Sequence, residues 1–136
     1  MPLKGVSITD ALSAWVDLKD ETTGAKIASV ELAGPEHPKR KAILFARQRK
    51  VRNVLQRTGK LELADPQDEE QDDLDMLVQC TLAWSAEFVD DEGKALACTA
   101  ENVRKEFGAE GNGWLRRQLK RAADETERFI KSSALN

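Results

Sequence analysis

The chain contains no tyrosine, one histidine and two cysteines among its 136 residues. Aromatic residues make up only 5% of the composition, fewer than a surface that stacks on bases or sugars usually offers. No apolar run approaches the ~18 residues of a membrane-spanning helix. The first residues also lack the charged region and apolar core of a secretory signal. We therefore expect a cytoplasmic chain that is neither exported nor inserted into a membrane.

The scarcity of histidine and cysteine bears on catalysis and metal binding. His37, Cys80 and Cys98 cannot supply the four ligands of a structural zinc site without carboxylates, and neither cysteine has a Cys-x-x-Cys partner. His37 lies in a Gly/Pro breaker over residues 34–38, which favours a loop histidine over the base of a nucleophile pair. Isolated cysteines indicate reduced thiols in the cytosol. The sequence predicts no catalytic residue, no metal ligand and no cofactor.

Residues 65–75 form an acidic run with seven carboxylates. Asp68, Asp72 and Asp75 could share a helix face and attract a divalent cation, but the run lacks the glycine and terminal glutamate of a calcium loop. Acids in a first helical turn complement the positive end of the helix dipole. A solvated helix start is therefore the simpler interpretation.

The segments that do show a regular pattern predict one domain that is mainly α, in the α+β class. Residues 14–18 and 25–32 alternate around a polar loop that ends in Gly24, which predicts an N-terminal β-hairpin. Four segments with a helical period follow, over residues 39–58, 67–84, 99–107 and 113–132. The domain spans residues 1–136, and residues 1–13 are expected to form a flexible arm or irregular lead-in.

The first predicted helix is strongly basic. Over residues 39–60 it carries no acid and nine cations, which are Lys39, Arg40, Lys41, Arg47, Arg49, Lys50, Arg52, Arg57 and Lys60. Such a run is the best nucleic-acid signal in the chain, although its cations spread around the helix. The acids of residues 65–75 could instead neutralise it, and partner contact is a third use. Its apolar stripe is predicted to be Leu44, Val51, Val54 and Leu55.

The second half of the chain carries an ordered set of short motifs. A helix closes on Trp84, an acidic turn ends at Gly93, and Thr99, Glu101 and Asn102 open the next helix. A last charged, amphipathic segment follows. In this order the chain resembles the tail assembly chaperones of long-tailed bacteriophages and prophages. The resemblance covers about residues 68–132, and its motifs are structural markers rather than chemical groups.

The resemblance implies a non-enzymatic role. It implies binding of the long tape-measure protein, whose apolar helices are kept soluble, and recruitment of tail tube subunits to it. It also implies a place in the cytoplasm of the bacterial host and absence from the mature virion. The resemblance transfers no catalytic residue, and both homo-oligomerisation and a frameshifted longer form stay open.

A partner surface should combine apolar anchors with steering charges. The predicted contact residues are Trp15, Val30, Trp114, Arg47, Lys50 and Arg57. The net charge of −3 and the acids close to the basic helix argue against nucleic acid. Nucleic-acid binding is accordingly the alternative function and not the main one. In that alternative the chain is a small phage or bacterial protein that acts through the basic helix over residues 39–60.

Overall fold

The computed structural model of the chain describes residues 6–60 and 66–134. The elements, in chain order, are β1 (Val6–Asp10), β2 (Ser13–Lys19), β3 (Lys26–Ala33), α1 (Pro38–Thr58), α2 (Pro66–Cys80), β4 (Thr81–Trp84), α3 (Ala100–Phe107), α4 (Gly113–Asp124), a 3-10 turn (Thr126–Phe129) and β5 (Ile130–Ala134). Within these residues the fold is α+β, with four α-helices and an N-terminal hairpin. The predicted fold class is confirmed.

The central sheet is antiparallel, with strand order β2-β3-β4. The β2–β3 hairpin is the one that the alternating pattern predicts, and its loop is held by Asp20, whose Oδ1 accepts the Thr22 N–H at 2.8 Å. Val16 lies opposite Val30 and points inward, whereas Trp15 points to the other face of the sheet. One face of this sheet therefore forms one side of the core.

The helices form the other side of the core. α2 and α4 pack on the sheet and α3 packs on both helices. The side chains of α3 and α4 that close the core are Val103, Phe107, Leu115, Leu119, Ala122 and Ala123. The Gln118 side chain fixes α4 to the strand edge, because it accepts the Lys19 N–H at 2.9 Å and donates to the Lys19 carbonyl at 2.7 Å.

α1 lies outside this core. His37 caps its first turn, with Nδ1 accepting the Lys39 N–H at 3.1 Å. Gly59 ends it in the left-handed conformation at φ 70°, as the Thr58-Gly59 pair predicts. No residue of α1 is buried, and its main packing partner is α2. The helix is therefore a capped, mostly solvent-exposed rod.

Two predicted helices are wrong at their C-terminal ends. The segment over residues 67–84 leaves the helix at Cys80, because residues 81–84 pair with β3 as β4. The last helix ends at Asp124 instead of Ser132, and Ile130–Ala134 is strand β5. In both places a strand partner that is distant in sequence outweighs the local helical spacing.

The prediction of an irregular lead-in is also wrong for part of residues 1–13. Val6–Asp10 forms β1, which pairs antiparallel with β5 from Val6↔Ala134 to Asp10↔Ile130. The two strands are joined near the core, where the Ala11 N–H donates to the Phe129 carbonyl at 2.7 Å. Residues 1–5 of the predicted arm lie outside the described residues.

Candidate partner-binding surface

The most exposed apolar surface of a helix in the described residues lies on α1. Leu44, Phe45, Val51 and Leu55 are 51%, 48%, 52% and 45% exposed. Leu44, Val51 and Leu55 follow one another at seven and four residues, so they share a face, and Phe45 lies beside Leu44. We call these four residues the α1 apolar row. Leu44, Val51 and Leu55, which belong to the apolar stripe predicted from the sequence, are therefore exposed.

The edge of α1 next to Leu44, Val51 and Leu55 faces α2. Ile43, Arg47 and Val54 recur at four and seven residues; Ile43 and Val54 are half-buried, and Arg47 Nη2 donates to the Asp72 carbonyl at 2.8 Å. α1 therefore leans on α2 along this narrow edge. Its apolar row is left uncovered because α2 does not reach it.

Two cations in the first turns of α1 are used within the fold. Arg40 Nη2 donates to the Ala123 carbonyl at 2.8 Å, and its guanidinium lies 5.9 Å from the centre of the Phe129 ring. Lys41 pairs with Glu36 at 2.7 Å. These contacts attach the N-terminal end of α1 to the body of the protein.

Farther along α1 the cations are free of the fold. Arg49, Lys50, Arg52 and Arg57 are exposed, and none of them forms an ion pair with a described residue. Phe45, Arg49 and Arg52 are spaced by four and three residues, so these two arginines share a face with one member of the apolar row. The surface is apolar and cationic at once.

Two acids of α2 form ion pairs with helices other than α1. Asp73 pairs with Lys120 of α4 at 2.6 Å, and Asp75 pairs with Arg104 of α3 at 2.7 Å. The hydrogen bond from Asp73 raises the pKa of Lys120 above its usual range. Between α1 and α2, Arg47 bonds to a backbone carbonyl. Among the described residues, no ion pair joins α1 to an acid of α2.

The predicted contact residues fall on four different elements. Arg47, Lys50 and Arg57 are exposed on α1. Trp15 is 52% exposed, but it lies on the outer face of the hairpin. Trp114 is half-buried against the core. Sequence reasoning missed Phe45, although its apolar character within a basic segment was a usable signal.

Val30 is the contact residue that the structure contradicts. Its exposure is 0%, because β3 is the middle strand of the sheet and Val30 points to its inner face. It lies between Val16 of β2 and Trp84 of β4. The alternating pattern identifies a buried face, and Val30 belongs to that face rather than to the surface.

The residues that carry the family resemblance build the connection between β4 and α3. Trp84 stacks on Phe88 with ring centroids 4.4 Å apart, and its Nε1 donates to the Leu96 carbonyl at 2.9 Å. Gly93 adopts φ 80° in the acidic turn. The Thr99 hydroxyl accepts the Asn102 N–H at 3.2 Å, which confirms the predicted N-cap. These contacts fix the connection between β4 and α3.

The sequence predicts that Trp84 packs against the last helix near Leu119 or Ala122. The rings that it meets are Phe88 and Phe107, the latter at 6.2 Å between centroids. Phe107 belongs to α3, which lies between the Trp84 turn and α4.

The groups that could support other chemistry are few. In the described residues no group of three or more His, Cys, Asp or Glu side chains could hold a metal ion. Cys80 and Cys98 are free thiols, and burial raises the pKa of both, with nearby cations such as Arg40 opposing the effect at Cys80. A thiol with a raised pKa is a weak nucleophile at neutral pH.

A groove of about 600 Å³ runs between the hairpin loop and α4. Its walls carry both signs of charge, and Glu21 pairs with Arg117 across it at 3.5 Å. Backbone hydrogen bonds from Thr22 and Thr23 lower the pKa of Asp20, so this carboxylate stays ionised. A general acid at neutral pH needs a raised pKa, so Asp20 does not suit that role.

Comparison of the chain with known protein families, with curated proteins and with solved structures gives no match in any of the three. In the part of the chain that the structure describes, no helix is both long enough and apolar enough to cross a bilayer. The candidate site therefore rests on the geometry and charge of α1.

Proposed function

We propose that the chain is a non-enzymatic phage tail assembly chaperone. It binds the tape-measure protein and tail tube subunits in the cytoplasm of the host bacterium during tail morphogenesis, and it does not remain in the virion. The observation that supports this role most is the α1 apolar row, an uncovered apolar face on a capped helix. The motif order around Trp84, Gly93 and Asn102 gives the proposal its family.

The physical requirements of the role agree with the shape of α1. A chaperone for a long helical client must accept apolar helix faces in many registers, so it needs an open surface rather than a fitted pocket. Leu44, Val51 and Leu55 present such a face at helical spacing. Flexible cations beside the face let the surface adapt to different client segments.

Co-expression with the tape-measure protein of the same genome tests the function. The tape-measure protein is expected to stay in the soluble fraction and to co-purify with this chain, and to precipitate when expressed alone. Purified tail tube protein should then join the complex. A tape-measure protein that stays insoluble in the presence of excess chain would contradict the proposal.

Nucleic-acid binding through residues 39–60 is the second candidate. The observation that favours it is that Arg49, Lys50, Arg52 and Arg57 are not paired with the acids of α2. Against it stand the net charge of −3 and the apolar side chains that share α1. Fluorescence anisotropy with labelled DNA and RNA at about 150 mM salt tests this candidate. Tight binding with a steep salt dependence would favour this candidate over the chaperone.

A further inference from the structure

We propose that the α1 apolar row is the docking site for one partner helix, an amphipathic helix whose apolar side is flanked by Asp and Glu. The inference rests on the proposed function for the identity of the client, whereas the site and the chemistry of the partner come from α1 itself. The juxtaposition that carries it is an uncovered apolar row beside unpaired arginines.

The length of the row sets the length of the partner segment. From Leu44 to Leu55 α1 advances about 17 Å, because each helical residue rises 1.5 Å. A partner helix of about three turns covers this distance. Its apolar residues then recur at three and four residues, as in other complexes in which a helix docks through an apolar face.

The charge of α1 sets the charge of the partner. Residues 39–60 contain nine cations and no acid, and Arg49 and Arg52 lie on the same face as Phe45. Carboxylates beside the apolar side of a partner helix would meet these arginines at the rim of the contact. Rim pairs of this kind mainly speed association and select the partner, while the buried apolar side chains supply most of the affinity.

A second copy of this chain does not meet the same requirement. Two α1 helices in contact would bring two sets of eight cations together without an acid between them. α2 offers acids, but its outward residues over 66–72 are polar or acidic, with no large apolar side chain among those exposed. An external helix that carries both features fits better than either element.

Extended anionic surfaces fit less well than a single helix. α2, the main packing partner of α1, carries the exposed acids Asp68, Glu69 and Glu70, which disfavour a broad anionic surface that reaches both helices. Leu44 and Val51 would gain nothing from contact with the phosphates of a duplex.

Fluorescence anisotropy of the full chain with synthetic helical peptides tests the site. One peptide of about 21 residues carries leucine at heptad positions a and d with flanking glutamates, and its partner peptide carries lysines instead. We expect the glutamate peptide to bind at least about tenfold more tightly than the lysine peptide. The double variant R49Q/R52Q should reduce the difference in affinity between the two peptides. It should also make that difference depend less on the salt concentration.

The variants Leu44→Gln and Val51→Gln, made together, remove the apolar contact without a change of charge. The pair Ala46→Gln and Asn53→Gln is the matched control, because these exposed residues lie on another face of α1. The first pair should weaken binding of the glutamate peptide by about tenfold or more and the control by less than about twofold. Both should keep the circular dichroism and Tm of the parent, since no residue of α1 is buried.

Four results would overturn the site. They are no binding of the glutamate peptide, equal binding by the Leu44/Val51 variant, tighter binding to anionic vesicles or duplex DNA, and self-association that this variant abolishes. The function is judged separately. If the peptide binds through the row but the tape-measure protein stays insoluble, the function fails and the site stands. If the variant solubilises the tape-measure protein as well as the parent does, the site fails and the function stands.

Discussion

Trp84 joins three segments of the second half of the chain. Its ring stacks on Phe88 and tilts against Phe107, and its Nε1 donates to the Leu96 carbonyl. Trp84→Ala removes the aromatic packing and the hydrogen bond, so it should lower the free energy of unfolding by about 3 kcal/mol in a urea titration. Trp84→Phe keeps a stacking ring and should cost clearly less. An alanine variant as stable as the parent would show that these contacts do not hold the turn.

Gly34 is a position where close approach requires glycine. A Cβ there would lie 2.7 Å from Phe129 Cδ1 and 3.1 Å from the Ala11 carbonyl. Gly34→Ala should therefore lower the free energy of unfolding by about 1–3 kcal/mol, because the buried Phe129 ring must shift. Gly113→Ala is the control, since its Cβ would meet only flexible arginine ends at 3.4 Å or more. Equal melting temperatures for the two variants would contradict the packing around Phe129.

The two thiols should differ in reactivity. Cys80 is buried and Cys98 half-buried, and burial raises the pKa of both. With an aromatic disulfide reagent at pH 8, Cys98 should react first and Cys80 only after unfolding. Cys98→Ser should remove the fast phase and Cys80→Ser should leave it. A fast phase that survives Cys98→Ser would contradict the burial of Cys80.

The Cys80 thiol should make the free energy of unfolding depend on pH, and the sign of this dependence follows from the burial of the thiol. The folded chain holds the Cys80 proton more tightly than the unfolded chain does, because burial raises the pKa. The contribution of this group to stability is therefore present below the ordinary thiol pKa and falls as the pH rises past it.

At the scale of elements, α1 should be the least protected helix. None of its residues is buried, and isolated helices of this length are marginal in water. Amide hydrogen exchange over residues 43–58 should be at least about tenfold faster than in β3 and α4, which lie in the core. Equal protection of α1 and α4 in the free protein would mean that the apolar row is already covered.

Local signals predicted some elements well and long-range pairings not at all. The hairpin, the Gly59 stop and the Thr99 cap follow from short motifs, and the structure has each of them. The β1–β5 pairing joins residues at the two ends of the chain, so no local period could reveal it. Residues 81–84 are predicted as the end of a helix for the same reason, because their strand partner β3 is distant in sequence.

The candidate site shows a second limit of sequence reasoning. The spacing of Leu44, Val51 and Leu55 identifies an apolar face of α1, but spacing does not say what covers a face. At Val30 the alternating pattern does indicate a buried face, and Val30 lies on that face opposite Val16 of β2. The predicted cations Arg47, Lys50 and Arg57 do lie on the exposed helix.

Across the whole molecule, the distribution of charge matters more than its sum. The net charge of −3 hides a helix, α1, with eight cations and no acid, beside α2, whose Asp73 and Asp75 pair with α4 and α3. An acidic partner therefore meets a locally positive surface on an acidic protein. This arrangement favours one orientation of approach, along α1.

Hydrogen exchange of the chain bound to the tape-measure protein would decide whether α1 is the binding surface. Bound and free chains are compared peptide by peptide, and the hairpin that carries Trp15 serves as the internal reference. We expect slowed exchange concentrated over residues 43–55 of α1, with the hairpin unchanged. Slowed exchange at the hairpin with α1 unchanged would contradict a docking role for α1.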